Sequence, residues 1–280
     1  MEKFKNSIMA TMLVCFLLLF NAITTFATPE NVKVIKGSGN WAEVEEAAGG
    51  HYYAFSGFDR RYSKISATIQ IPGPEHLILE GSHGKRAAYI SFGVKGNHGI
   101  DFGLTRATGS DEYNNWHVYA YNTVTGKFVR WTDYTYTGSE VMTLETTIGA
   151  DGQTDVVLTV GNDRFNADDK GLLTDDSFIE WRGLSDNLFY RFVSLVDVSG
   201  SESIYDGTML RGVGLQNLSI YKQNVNSNGY PYGSPIKKSW GYKASTILNA
   251  YEVYPEQIGV HKGSFSSEYI NIKHEVNPEV

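Results

Sequence analysis

The segment Ala87–Leu104, AAYISFGVKGNHGIDFGL, decides the fold class. Apolar residues occupy every second position from Ala88 to Val94 and again from Ile100 to Leu104, with Gly-Asn-His-Gly between the two runs. A period of two places alternate side chains on opposite faces of a β-strand. Glycine and asparagine are typical of the turns that join strands. The segment therefore predicts two half-buried strands joined by a turn.

The same pattern recurs along most of the chain and predicts an all-β fold. Further strands are expected near residues 65–71, 116–121, 141–148, 155–160, 188–198 and 215–221. Short strands separated by turn signals favour a sandwich or a jelly roll. The prediction is a single jelly-roll β-sandwich domain over residues 28–222.

The last part of the chain has a different composition. Residues 223–245 are rich in Asn, Ser, Gly, Pro and Tyr, which predicts a loop or linker. Within residues 246–280, Thr246–Tyr254 and Tyr269–Lys273 predict an additional pair of strands. Because two strands alone are marginally stable in water, we expect this pair to dock on the sandwich.

The N-terminus has the pattern of a signal peptide. Lys3 and Lys5 precede an uncharged stretch from Ile8 to Ile23, and Thr-Phe-Ala then ends at Ala27. A basic region, an apolar region and a small-residue cleavage site are the three parts of a secretory leader. We therefore expect residues 1–27 to be removed and the protein to be secreted, with no membrane contact afterwards. The alternative is an uncleaved membrane anchor.

Charge and cysteine content narrow the classes of function. The chain has 24 Lys and Arg against 31 Asp and Glu, a formal net charge of −7. Nucleic acids and anionic polymers are bound through clustered cations, so they are not expected as partners, whereas neutral glycans are compatible. The single cysteine, Cys15, lies in the leader. Thiol chemistry is therefore not expected in the mature protein.

Several segments together resemble the concanavalin-A/laminin-G-like jelly-roll proteins. They are Gly99–Leu104, the strand Trp116–Tyr119 after a loop, the Asp151-Gly152 hairpin with the strand Asp155–Val160, and the late strand Gly214–Ile220. The likeness covers residues 50–222. In its leader and layout the chain also resembles uncharacterised secreted proteins of Bacillus-type bacteria, which implies an extracellular setting. A fold does not transfer a function, so function has to be argued from a site.

The sequence contains few patterns that are typical of catalytic or metal-binding sites. The resemblance implies a tight Glu-x-Asp cluster in the laminarinase-like branch, and this sequence lacks one. Distant carboxylates could still meet, and Asp101, Glu145 and Glu180 are the candidates for a glycoside hydrolase or polysaccharide lyase. The acidic loop at residues 161–169 could hold calcium through oxygen ligands, although it lacks the EF-hand order. No other cofactor is expected, and the catalytic residues stay unknown.

An aromatic sheet face is the strongest functional signal. Alternation turns five residues away from the apolar side of their strands, and we expect them to share the concave face of a sheet. They are the predicted ligand-binding residues: Tyr89, Asp101, His117, Tyr119 and Tyr121. Trp131, Tyr134 and Tyr136 could extend this face. Aromatic rings beside hydrogen-bonding groups suit sugars, so the sequence predicts a non-catalytic binder of neutral polysaccharide. Two alternatives remain: cross-strand pairs that only support the sheet, and a structural, matrix-associated protein.

Overall fold

The computed structural model describes residues 49–56, 62–79, 86–95, 99–108, 115–123, 125–148, 156–172, 188–197, 207–225, 231–240, 247–253, 258–262 and 267–273. All of them belong to one compact unit, Val34–Val280. The predicted signal peptide, and the separate unit Met1–Lys33 that contains it, lie outside the described residues. None of the described segments is a helix of the length and hydrophobicity that a membrane span requires.

The described part of the chain is built from sixteen β-strands and two short 3-10 helices, Pro74–His76 and Asp168–Lys170. In chain order the strands are β1 (Gly49–Ser56), β2 (Tyr62–Gln70), β3 (Leu77–Ile78), β4 (Arg86–Lys95), β5 (Gly99–Ala107), β6 (Trp116–Asn122), β7 (Phe128–Tyr136), β8 (Val141–Ile148), β9 (Val156–Val160), β10 (Asp163–Asn166), β11 (Leu188–Asp197), β12 (Met209–Val225), β13 (Pro231–Ser239), β14 (Ile247–Val253), β15 (Ile258–Lys262) and β16 (Glu268–Lys273).

The strands form two antiparallel sheets. The first has the order β14-β1-β11-β4-β5-β6-β7. The second has the order β10-β9-β8-β2-β12-β16-β15, and β3 and β13 also pair with β12. The predicted all-β jelly-roll sandwich is therefore confirmed.

The core lies between the two sheets, where their inner faces meet. The rings of Trp131 in β7 and Phe165 in β10 touch edge to face across the layers, with centroids 5.5 Å apart. The indole Nε1 of Trp116 donates to the carbonyl oxygen of Pro72 at 3.3 Å. Fully buried apolar residues of both sheets fill the space: Ile90, Phe92, Phe102, Leu104 and Val118 from the first, and Ile65, Ile69, Leu144, Leu158 and Ile220 from the second. Removing this apolar surface from water is what holds the layers together.

The C-terminal region is part of the sandwich. The predicted linker, residues 223–245, contains strand β13, which pairs with β12 from Ser219 to Val225. Pro231, Gly233 and Pro235 made this segment resemble a loop, but an edge strand tolerates proline where the missing N–H would face solvent. The two segments predicted as an additional strand pair are both strands, yet they join different sheets. Strand β14 pairs with β1, whereas β16 lies between β12 and β15.

Candidate ligand-binding face of the first sheet

The strand register arranges side chains in three rows across β11, β4, β5, β6 and β7. We call the surface that they form, which faces away from the second sheet, the outer face. The first row is Tyr190, Gly93, Asp101, Tyr121 and Phe128. The second row is Phe192, Ser91, Gly103, Tyr119 and Arg130, and the third is Ser194, Tyr89, Thr105, His117 and Thr135.

The structure brings all five predicted binding residues onto this outer face, but it exposes them unequally. Tyr89, Asp101 and Tyr121 are half-buried. Tyr119 and His117 each expose only 2 % of their surface. The expectation that Tyr119 emerges into solvent is wrong because neighbouring rings cover it. Tyr119 and His117 thus offer little surface, whereas Tyr89, Asp101 and Tyr121 are partly exposed to solvent.

The first row depends on a glycine. The ring of Tyr190 lies directly over Gly93, where a Cβ would overlap it. Tyr190 can therefore cross β4, and its hydroxyl donates a hydrogen bond to Oδ1 of Asp101 on β5. The Asp101 carboxylate is held in place in this way while part of it stays open to solvent.

The second row repeats this arrangement one strand further along. Gly103 lies so close to the backbone of β4 that a Cβ would collide with the carbonyl oxygen of Ile90. The hydroxyls of Ser91 and Tyr119, on either side of Gly103, are hydrogen-bonded at 2.6 Å. Phe128 of the first row stacks on Tyr119, with centroids 5.4 Å apart and planes at 18°. The ring of Tyr119 is thereby fixed at both ends.

Tyr89 connects the third row to the second. Its ring meets Tyr119 edge to face, with centroids 5.1 Å apart. Burial raises the pKa of the Tyr89 phenol, whereas a hydrogen bond with Thr105 lowers it; Asp101 raises it and Arg130 lowers it by smaller amounts. The net effect is a raised pKa, so Tyr89 stays a neutral phenol over the physiological range. It can therefore both donate and accept hydrogen bonds.

The aromatic and charged residues of the face that were not identified from the sequence are Phe128, Arg130, Tyr190 and Phe192. Tyr190 and Phe192 are buried and form one cluster with Tyr119. Phe128 is 46 % exposed, which makes it the most open ring in the three rows. The alternation of Tyr190 and Phe192 around Arg191 was a usable signal, because the period-two rule places both rings on one face.

Three aromatic residues that were expected to extend the face do not do so. The register between β6 and β7 shifts after His117, so that Val118 lies opposite Trp131. Trp131 faces the core, where it stacks on Phe102 with centroids 5.6 Å apart. Tyr134 meets the ring of Phe165 on the second sheet at 4.8 Å.

Tyr136, the third of them, is directed toward Asp163 on the second sheet. Burial and the Asp163 carboxylate raise the pKa of Tyr136 well above its usual value. The register shift in β7 lies between Trp131 and Thr135, so it is the physical reason for the positions of Tyr134 and Tyr136. Trp131 precedes the shift and faces the core by ordinary alternation with Arg130.

Of the three candidate carboxylates, the two that the structure describes, Asp101 and Glu145, lie on different sheets and do not converge. Glu145 lies on the outer face of the second sheet, where it pairs with Lys64 at 2.6 Å. Glu180 lies outside the described residues. Within the three rows, Asp101 is the one carboxylate.

The predicted calcium loop is a tight hairpin between β9 and β10. Val160 pairs with Asp163, and Gly161 has a φ of 61° in the turn. Among the described residues, no three or more His, Cys, Asp or Glu side chains are grouped so that they could hold a metal ion.

Comparisons with known proteins provide distant structural similarities. No protein-family model matches the chain, and no curated protein matches it. Scytalido-glutamic peptidase, solved with a peptide-based transition state analog, is 11 % identical over 80 % of this chain and 98 % of its own, with a TM-score of 0.43. SCP-B, a member of the Eqolisin family of peptidases, is 11 % identical with the same coverage and a TM-score of 0.37.

A glycoside hydrolase of family 16 from Bacteroides ovatus is 13 % identical over 55 % of this chain and 72 % of its own, with a TM-score of 0.30. The resemblance to secreted proteins of Bacillus-type bacteria stays a prediction. Similarities of this size assign neither a family nor an activity to the chain.

Proposed function

We propose that this protein is secreted and binds neutral polysaccharide on the outer face of its first sheet, without cleaving it. The observation that carries the proposal is the composition of the three rows. Half-buried Tyr89 and Tyr121 and the exposed Phe128 lie in the same three rows as the carboxylate of Asp101. Sugar rings pack their apolar C–H faces on aromatic rings, and their hydroxyls need polar partners such as a carboxylate or a phenol.

The rigidity of the face supports the proposal. Tyr119, Tyr190 and Phe192 form a buried layer beneath the accessible groups, and hydrogen bonds hold Tyr119 and Tyr190. A site whose groups are already fixed loses little conformational entropy when it binds. The leader sequence and the acidic composition support an extracellular setting and an uncharged ligand.

Retention on insoluble polysaccharides tests the proposal. Tyr121→Ala combined with Phe128→Ala removes two accessible rings, and we expect binding to weaken about tenfold or more, a change of about 1.4 kcal/mol. Tyr119 is unsuited to this test because it is buried, and truncating it would open a cavity.

The matched control places the same kind of change on the second sheet. Tyr221 is half-buried there and carries Lys64 over its ring at 4.7 Å, and Ile236 is 60 % exposed. Tyr221→Ala with Ile236→Ala should leave retention unchanged. Equal loss in the two double variants would reject the outer face as the binding surface.

Cleavage is the second candidate, and the ordered carboxylate of Asp101 is the observation that favours it. A retaining glycosidase needs two carboxyl groups about 5–5.5 Å apart, and the three rows contribute one. Asp101→Asn should therefore weaken retention, and neither the wild type nor this variant should release products from a panel of neutral and uronic-acid glycans. Release of reducing sugars or unsaturated products by the wild type, abolished by D101N, would establish cleavage instead.

A further inference from the structure

A buried ion pair lies on the inner side of β11, beneath the candidate face. Arg191 and Glu268 are both fully buried. The guanidinium Nε donates to Glu268 Oε2 at 3.0 Å, and Nη2 donates to Oε1, which makes the pair bidentate. The hydroxyl of Tyr52 donates to the same Oε2 at 3.1 Å.

The flat side of the guanidinium is also covered. Its Cζ lies 4.4 Å from the ring centroid of Trp240, the residue that follows β13. Arg191 is thus enclosed by groups from β1, β16 and the end of β13. Burial alone would lower the pKa of Arg191, but the Glu268 carboxylate raises it above its usual value, so the guanidinium stays charged.

Such a pair determines where β11 can lie. A charge without its partner is strongly unfavourable in a buried site, and bidentate geometry tolerates little displacement. The position of Arg191 is therefore set by Glu268, which reaches it from the C-terminal strand β16. The backbone of β11 has to follow Arg191.

The fixed position of the β11 backbone also fixes the two neighbours of Arg191 in sequence, whose side chains lie on the other side of the sheet. Tyr190 and Phe192 project onto the outer face because side chains alternate along a strand. Tyr190 crosses Gly93 to bond Asp101, and Phe192 packs against Tyr190 with ring centroids 6.0 Å apart. A shift of β11 would move both rings.

We propose that Arg191 and Glu268 are positioning residues that hold Tyr190 against Asp101, and that strand β16 in this way controls the outer face from the opposite side of the sheet. The link to ligand affinity rests on the proposed function. The positioning of Tyr190 by Arg191 and Glu268 does not depend on the proposed function. Each of the two proposals can therefore be contradicted without the other.

The first test measures Tyr190 without any ligand. In protein with 13C-labelled tyrosine rings, the Tyr190 signals are assigned by their loss in Tyr190→Phe. We expect Glu268→Gln to shift these signals and to speed amide exchange in β11 on the order of a hundredfold, since breaking a buried ion pair is strongly destabilising. Global destabilisation alone would not move native-state ring signals.

Glu145→Gln is the matched control, because it removes the carboxylate charge from the half-buried Lys64–Glu145 ion pair on the second sheet. It should leave the Tyr190 signals in place. If E268Q fails to fold, Arg191→Met with Glu268→Leu removes both charges at similar volume, and a folded chain is expected. Unchanged Tyr190 signals in that double variant or in E268Q, or an equal shift in E145Q, would overturn the proposal.

The second test concerns the ligand. On any polysaccharide that the wild type retains, E268Q should weaken retention as much as Y190F does, and the two changes together should weaken it no further. Additive losses would show that Glu268 acts on affinity by a route other than Tyr190.

Discussion

Gly93 is the residue on which the first row of the outer face depends. Its missing side chain leaves the space that the Tyr190 ring occupies on its way to Asp101. Glycine in a strand interior weakens the strand by itself, and a close approach of another group is one reason for its presence. Gly103 has the same role for a backbone contact in the second row.

Gly93→Ala should displace Tyr190 and break its hydrogen bond with Asp101. We expect the free energy of unfolding to fall by about 1–3 kcal/mol, as overpacked sites do. Urea denaturation measures the loss. In a Tyr190→Ala background the ring is gone, so the same glycine substitution should cost much less. Equal costs in the two backgrounds would contradict the contact.

Strands β4, β5 and β6 show that the face each side chain occupies could be predicted from a regular sequence pattern. Their alternation was regular, so the faces of Tyr89, Asp101 and Tyr121 followed from the period-two rule. Strand β7 could not be read this way, because Phe128–Tyr136 mixes aromatic and polar residues and contains a register shift. No local signal marks a bulge whose position is set by pairing with the neighbouring strand.

The turn before β8 has a measurable dependence on pH. Glu140 accepts hydrogen bonds from the backbone N–H and from the hydroxyl of Thr137, both at 2.9 Å. Burial raises the pKa of Glu140, but the hydrogen bonds from Thr137 and from the backbone of Gly138 and Glu140 together lower it more, so its folded-state pKa lies below the unfolded value. A carboxyl group whose pKa is lower in the folded protein stabilises the fold at pH values above its unfolded-state pKa. This stabilisation is lost as the pH falls through the folded-state pKa.

Glu140→Gln should therefore be less stable than the wild type at pH 7, and the gap should close as the solution is acidified below about pH 4. Urea midpoints at several pH values measure the gap. A gap that stays constant from pH 7 to pH 3 would show that the Glu140 charge is irrelevant to the turn.

At the scale of the whole molecule, the C-terminal residues complete both sheets and the core between them. Strands β14, β15 and β16 add to sheets whose other members lie far away in sequence. The sequence predicted β14 and β16, but it did not predict β15. It also did not predict where these strands pair, because a strand's own pattern does not specify its neighbour. Tyr52, Arg191, Trp240 and Glu268 are likewise separated along the chain, and only the fold brings them together.

Truncation after Trp240 should therefore prevent folding. The shortened chain keeps every residue of the three rows but leaves Arg191 without Glu268. Breaking a buried ion pair costs about 3–5 kcal/mol, which is a large part of the stability of a domain. Circular dichroism and NMR dispersion measure the outcome. A truncated protein with native dispersion would contradict the integral role of the C-terminal strands.

Whether the outer face of the first sheet binds neutral glycan can be measured by an NMR titration. Neutral oligosaccharides of glucose, xylose and mannose are added to protein with labelled aromatic rings. We expect a binding sugar to shift the signals of Tyr89, Tyr121 and Phe128 and to leave those of Tyr221 and Tyr269 on the second sheet unchanged. Shifts confined to the second sheet, or no shifts with any of the sugars at millimolar concentration, would contradict it.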